Sequence, residues 1–140
     1  MGSEMCIRDR ETENRLVVAL SDADLDLEAT STARSRLNLA NVLDTASQRN
    51  IPVLVVGPTP TLDEQRNARL AELNAAYLDV ADRRNHVYVD TFTPLVGHEQ
   101  WRSDLASGQG RPGQAGHGLI AWLVLHRGWY QWLGLPEPTA

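Results

Sequence analysis

Two short runs of apolar residues are the feature that most restricts how this chain can fold. The runs are Leu16–Leu20 and Ile51–Gly57, and their length is typical of strands rather than of helices. Because neither run alternates with polar residues, we expect both strands to be covered on both faces, as in a parallel sheet. Pro52 lies near the start of the second run, where a strand tolerates proline.

A helical pattern separates these two predicted strands. Thr30 or Ser31 can cap a helix that extends to about Arg49. Asn50 suits the left-handed position that commonly ends a helix. Four residues of this helix share one face at helical spacing and are expected to be buried: Leu39, Val42, Leu43 and Ala46.

A second helix is predicted from Leu62 to about Arg84, after the break made by Pro58 and Pro60. Thr61 and Glu64 have the spacing of a capping box at its start. Five residues are expected along one side of this helix: Arg66, Leu70, Leu73, Tyr77 and Val80.

The rest of the chain continues the alternation of strands and helices. Residues 86–90 alternate in polarity and predict an edge or half-buried strand, followed by a short helix near Leu95–Ala106 and a final helix over Gln114–Leu133. Strands that alternate with helices imply a parallel sheet with right-handed crossovers. The sequence therefore predicts an α/β fold, a three-layer α/β/α, flavodoxin-like arrangement with about three parallel strands.

Composition argues against several kinds of partner and cofactor. The net charge is −5 and no basic run is present, so we expect no binding to nucleic acid. No apolar run approaches the ~18 residues that a membrane span needs. Cys6 is the single cysteine, and none of the four histidines has metal-ligand spacing with Asp or Glu, so we expect no metal and no cofactor. The compartment is not predicted.

The segment before the final helix contains a second, more specific pattern. Residues 103–117 read SDLASGQGRPGQAGH and lead into the apolar segment Leu119–Leu125. This block resembles the last conserved block of the SGNH (GDSL-type) ester hydrolases, which reads roughly Asp-Gly-x-His-Pro, a short spacer, then Gly-Tyr or Gly-His at the start of the final helix. Four residues keep that frame: Gly110, Pro112, Gly116 and His117.

The resemblance places the family's catalytic positions on residues that differ from the family pattern. Arg111 stands where the family has its catalytic histidine. Gly108 occupies the aspartate position without a gap, or Gln109 occupies it if one residue was deleted. Gln109 and Arg111 therefore occupy catalytic positions of the family but are not the residues that the family has there.

The resemblance also covers the predicted strands, roughly from Arg15 to Leu133. The first strand corresponds to the family's third, which is followed in the family by Gly-x-Asn-Asp. Here the sequence is Ala19-Leu20-Ser21-Asp22, so Ser21 stands at the oxyanion asparagine and Asp22 matches. No Gly-Asp-Ser block is present, and the strand that bears the nucleophile would lie upstream of Glu11.

These correspondences imply the C-terminal part of an ester hydrolase that is inactive as this chain stands. The substrate implied by the resemblance, if the domain is completed upstream, is a small acyl ester such as an acetylated sugar or a lysolipid. One alternative is a non-catalytic SGNH-like binding domain; another is that sequence errors damaged the closing block. Without the family's first strand, Leu16–Leu20 would be an exposed edge that can self-associate.

The chain is divided into three segments. Residues 1–10 resemble the translation of a sequencing-library adapter, and we expect them to be non-native; the alternative is a disordered native terminus. Residues 11–134 form the partial SGNH-like domain, and residues 135–140 form a loose tail.

Three further groups of residues are candidates for function. His117 is the best candidate among the histidines, but packing at the start of the last helix is favoured. Asp22, Asp24, Asp26 and Glu28 follow a strand end, where α/β folds bind ligands, but a solvated loop is favoured. For the tryptophans of the last helix core packing is favoured over sugar stacking: Trp122, Trp129 and Trp132.

Overall fold

The computed structural model describes residues 14–26 and 31–136 of the chain, in which strands alternate with helices as far as residue 89 and only helical elements follow. The strands are β1 (Leu16–Ala19), β2 (Val53–Val56) and β3 (Val87–Val89). The helices are α1 (Thr32–Gln48), α2 (Glu64–Arg83), α3 (Phe92–Leu95), α4 (Glu99–Ser107), α5 (Gln114–Val124) and α6 (Tyr130–Leu133), with a 3-10 turn at Ala23–Asp26 and a π turn at Leu125–Trp129. The predicted non-native residues 1–10 lie outside the described residues, as do Glu28, Thr30 and residues 137–140 of the predicted tail.

The three described strands form one parallel sheet in the order β1-β2-β3. Leu16 is paired with Val53 across the first ladder, and Val56 with Val89 across the second. This confirms the predicted α/β fold with three parallel strands. Because the strands are parallel, their carboxyl ends all meet at one edge of the sheet.

Two hydrophobic cores lie on opposite faces of the sheet. Val53 and Val55 point into a core shared with α1 and α2, which contains Leu43. Leu54 points into the other core, where it meets Trp101 of α4 and other residues of the last helices. These two layers of helices and the sheet between them give three layers, and all four residues of β2 are buried.

The predicted start of the first helix is confirmed, but the predicted start of the second is wrong. The Ser31 hydroxyl accepts a hydrogen bond from Arg34 N at 3.1 Å and caps α1. In α2 the cap is Asp63, whose carboxylate accepts from the backbone N–H groups of Gln65 and Arg66. Thr61 is instead held by Asn67 through its backbone and its hydroxyl, so no capping box forms.

The edge strand and one helix position are more exposed than predicted. In β1, Val17 is 46% exposed, so the expectation that this strand is covered on both faces is wrong for the described residues. The reason is that β1 lies at the edge of the sheet. Val42 is 44% exposed, because the buried face of α1 runs through Ser35, Leu39 and Leu43 at intervals of four residues.

The C-terminal helix is interrupted by a π turn. Its buried positions are Gly116, Leu123, Gly128 and Trp132, so one interval of five residues separates Leu123 from Gly128. A Cβ atom on Gly128 would lie 2.7 Å from Val89 Cγ2, so only glycine lets the helix approach the sheet this closely. The predicted short helix near Leu95–Ala106 is divided into α3 and α4.

Two tryptophans of this C-terminal segment have different environments. Trp132 is buried, and its Nε1 donates to Pro52 O at 3.1 Å. Trp122 is 52% exposed, so core packing is the wrong explanation for this residue. Its ring lies against His126, with ring centroids 4.5 Å apart.

His86 joins three elements at the amino edge of the sheet. Its Nδ1 accepts from Val53 N at 3.3 Å, and its Nε2 lies 2.9 Å from Ser47 Oγ. Because Nδ1 is an acceptor, the neutral ring carries its proton on Nε2 and donates it to Ser47. The pair therefore lacks the arrangement in which histidine takes a proton from serine. Burial of the ring lowers the pKa of His86.

This histidine should make the stability of the fold depend on pH. The pKa of His86 is lower in the folded chain than in the unfolded chain. As the pH falls through the ordinary histidine range, the unfolded chain therefore binds more protons than the folded chain. The stabilisation is present above that range and should be lost on acidification. We expect the urea midpoint to fall between about pH 8 and about pH 5. His86→Gln should show a smaller fall; an identical fall in the variant would contradict this assignment.

Within the described residues no strand lies on the outer side of β1, and this edge should cause self-association. Leu16 N and Leu20 N bond to Pro52 O and Val56 O, so the N–H and C=O of Val17 point away from β2. Unpaired apolar edges of this kind template pairing with another chain. We expect concentration-dependent association in analytical ultracentrifugation, abolished by Val17→Pro, which removes the outward N–H.

The matched control for that variant is Val18→Pro, one residue along the same strand. Its N–H faces β2, so this substitution should lower the melting temperature, whereas Val17→Pro should leave the melt cooperative. A wild-type chain that stays monomeric at every concentration would show that β1 is not an association surface.

Candidate active site

The carboxyl edge of the sheet is where a ligand site is expected in a fold of this kind. Leu20 N donates to Val56 O at 2.8 Å, and Gly57 N donates to Val89 O at 3.0 Å, so the ladders continue to the ends of the strands. Ser21, Pro58 and Asp90 therefore emerge at the same edge.

Ser21 is exposed at the end of β1. Its Oγ accepts a hydrogen bond from Ala23 N at 3.3 Å and caps a turn. It also lines a groove of about 270 Å³ with Asn38, Val42 and neighbouring apolar residues. Among the side chains that the structure describes, no histidine or carboxylate is hydrogen-bonded to the Ser21 hydroxyl, so none of them is placed to activate it.

Asp22, which matches the family pattern, is paired with an arginine of α2. Arg66 Nε lies 2.7 Å from Asp22 Oδ2, and its Nη2 donates to Asp22 O at 3.1 Å. Arg69 also donates to Leu25 O, so two arginines hold the 3-10 turn against α2. This part of the predicted acidic loop is therefore structured; of Asp24 and Asp26 only the backbone is described.

The end of β3 contains a polar network that the sequence analysis missed. Tyr88 OH donates to Asn74 Oδ1 at 2.5 Å, and Asn74 Nδ2 donates to Asp90 Oδ1 at 3.2 Å. Burial, with the negative charge of Asp90, raises the pKa of Tyr88 well above its ordinary value, so the phenol stays neutral. The same Asp90 oxygen accepts from Phe92 N and Thr93 N. The signal available in the sequence was Asp90 at a strand end.

Asp104 organises the loop that contains the family's closing block. Its Oδ2 accepts from Gly113 N at 2.6 Å and from Gly116 N at 2.9 Å. A Cβ atom on Gly116 would lie 2.7 Å from that oxygen, so glycine is needed for this contact. The sequence pattern did not indicate Asp104, because this residue precedes the four residues that match the family's closing block.

The loop between α4 and α5 is a tight turn around the family's catalytic positions. Gln109 and Gly110 both have positive φ, and Gly110 N donates to Leu105 O at 2.8 Å. Arg111 N donates to Gly108 O at 3.1 Å. A Cβ atom on Gly108 would lie 2.2 Å from Arg111 O, so this backbone has no space for a side chain at that position.

The structure does not bring the three predicted site residues into contact. Gln109 and Arg111 are exposed, and neither side chain makes a hydrogen bond to the part of the chain described here. Among the described residues, the Ser21 side chain is bonded only to its own turn. His117 is also exposed, so the expectation that it packs at the start of the helix is wrong.

The described residues contain neither a metal-binding cluster nor a helix able to cross a membrane. No group of three or more His, Cys, Asp and Glu side chains is arranged to hold a metal ion in those ranges. Over the same residues, no helix combines the length and the apolar character that a membrane crossing requires.

The sequence and the structure of this chain relate it to known proteins. Among curated proteins no sequence matches the chain. The crystal structure of the lipase/acylhydrolase from Enterococcus faecalis is similar to it with a TM-score of 0.67 and 19% identity, over 93% of this chain and 67% of that one. At this identity the likeness concerns the fold alone. The sequence model of the GDSL-like lipase/acylhydrolase family matches residues 9–119, well over half of the chain. The chain therefore belongs to the GDSL-like lipase/acylhydrolase family.

Proposed function

We propose that this chain has the fold of a GDSL-type ester hydrolase and does not hydrolyse esters by itself. Ester hydrolysis by this route needs a serine, a histidine within hydrogen-bond reach of it, and a carboxylate that orients the histidine. The observation that carries the proposal is the geometry of the closing loop, where Arg111 is exposed and Gly108 has no space for a side chain.

Arg111 cannot replace a catalytic histidine. Its guanidinium stays protonated and offers donors only, so it cannot take a proton from a serine hydroxyl. The backbone at Gly108 also argues against a simple sequence error at this block. An aspartate there would place its Cβ 2.2 Å from Arg111 O, which requires the turn to rearrange.

Ester binding without turnover is the alternative function. The groove beside Ser21 is lined by apolar Val18, Leu20 and Val42 and by polar Asn38, a composition that suits a small acyl group with one polar end. The Ser21 hydroxyl could donate to a carbonyl oxygen, since its contact with Ala23 N uses only an acceptor position. A small acyl ester is also the substrate class that we propose if an upstream segment supplies the nucleophile.

The purified chain should therefore fail to hydrolyse p-nitrophenyl acetate above a buffer control, because it lacks an activated nucleophile. No serine should react with a fluorophosphonate probe, as measured by intact mass. Ser21→Ala is the matched control and should be indistinguishable from the wild type in both assays. Stoichiometric labelling that disappears in Ser21→Ala would overturn the proposal.

The binding alternative is tested on the same preparation. NMR signals of Leu20–Asp22 that shift on addition of an acetyl ester, with no product formed, would favour the binding domain. Hydrolysis without labelling of any serine would contradict both functions.

Restoring an aspartate in the closing loop should destabilise the chain. Gly108→Asp forces its Cβ against Arg111 O, and overpacking of this kind costs about 1–3 kcal/mol in unfolding free energy. Gly97→Asp is the matched control, because a Cβ at Gly97 meets no atom within 4 Å, and its effect should stay within about 0.5 kcal/mol. Urea unfolding measures both. Equal stability of the two variants would show that the loop can accept an aspartate.

A further inference from the structure

The outer face of the C-terminal helix is apolar and uncovered in the described structure. This face, which we call the Trp122 face, consists of four exposed residues: Gly118, Ala121, Trp122 and Leu125. Trp122 is 52% exposed and Leu125 is 39% exposed. They lie on the opposite side of the helix from Gly116 and Leu123, which pack towards the sheet. Exposed apolar residues gathered on one helix face mark an interaction surface more often than scattered ones do.

The charge around this face differs from that of the rest of the chain. The chain as a whole has a net charge of −5, yet residues 105–136 contain no Asp and no Glu. The same segment contains Arg111, His117, His126 and Arg127, all of them exposed. His126 lies directly against the Trp122 ring. The charged side chains of this segment are therefore cationic, and the carboxylate of Asp104 just before it is bonded to Gly113 N and Gly116 N, with Gly116 on the opposite side of the helix.

We propose that the Trp122 face docks the protein on an anionic lipid surface. A helix with Trp and Leu on one side and basic groups at its margin binds at the headgroup boundary, where burial of apolar area adds to attraction by anionic lipids. The indole of Trp122 suits this boundary because its ring is apolar and its N–H remains available for hydrogen bonds. This surface is separate from the carboxyl edge of the sheet, and the proposal does not depend on ester hydrolysis.

Two other occupants fit the face less well. A second copy of the chain docked on the same face would bring its Arg127 near that of the first copy, and this like charge opposes pairing. An acidic protein would have to supply a groove, because the outer side of a single helix is convex. A lipid interface needs no preformed groove and supplies the negative charge.

Flotation with vesicles tests the proposal, since self-associated protein sinks and is not counted as bound. The full chain should float with vesicles of phosphatidylcholine and phosphatidylglycerol and stay unbound with phosphatidylcholine alone. Trp122→Gln should weaken binding about tenfold through lost apolar burial. Arg127→Gln should weaken it about fivefold, and added salt should weaken it further.

Matched controls distinguish binding through the Trp122 face from nonspecific adsorption to the vesicles. Leu37→Gln changes an equally exposed apolar residue of α1 and should leave binding unchanged. Leu125→Gln provides a second variant of the face if Trp122→Gln does not fold, as judged by circular dichroism. Failure of the wild type to float with phosphatidylglycerol vesicles overturns the proposal. So does equal binding by wild type, Trp122→Gln and Leu125→Gln, or dimerisation through the Trp122 face.

Discussion

Burial of β2 on both faces is the constraint on which the rest of the structure depends. Val53 and Val55 contribute to one core and Leu54 to the other, so a displacement of this strand disturbs both layers of helices at once. Polar contacts fasten its two ends, through His86 at Val53 N and through Thr91, whose hydroxyl donates to Gly57 O at 2.8 Å. The edge that holds the candidate site is therefore tied to the central strand as well as to the contacts of its own loops.

The carboxylates described at this edge are engaged in structural contacts. Asp22 is paired with Arg66, Asp90 accepts from Asn74 and two backbone N–H groups, and Asp104 holds the loop before α5. A catalytic histidine needs a carboxylate free to accept its ring N–H. A histidine added to the closing loop would have to share one of these carboxylates with the contact that holds a loop or turn.

Sequence alone predicted features that depend on local chemistry. The cap at Ser31, the positive φ of Asn50 and the buried run of β2 are confirmed because each is determined by the residue itself or by its near neighbours. The family was also recognised, from the glycine and proline frame of the closing block. The apolar run alone did not predict the exposure of Val17, which the resemblance did imply by leaving this strand at an edge. The crowding at Gly108 could not be predicted, because it depends on atoms that folding brings close. Whether the chain is inactive stays a prediction.

The π turn at Leu125–Trp129 contributes one extra residue to the C-terminal helix. Successive side chains of a helix are rotated by about 100° around its axis. The extra residue therefore rotates all side chains after the π turn relative to those before it. Without the rotation, the position of Trp132 would turn from Pro52 towards solvent, and Gly128 would leave its contact with the sheet. The π turn thus changes the direction in which the later side chains of the helix point. The first half of the helix can therefore have an apolar outer side while the second half still covers the sheet.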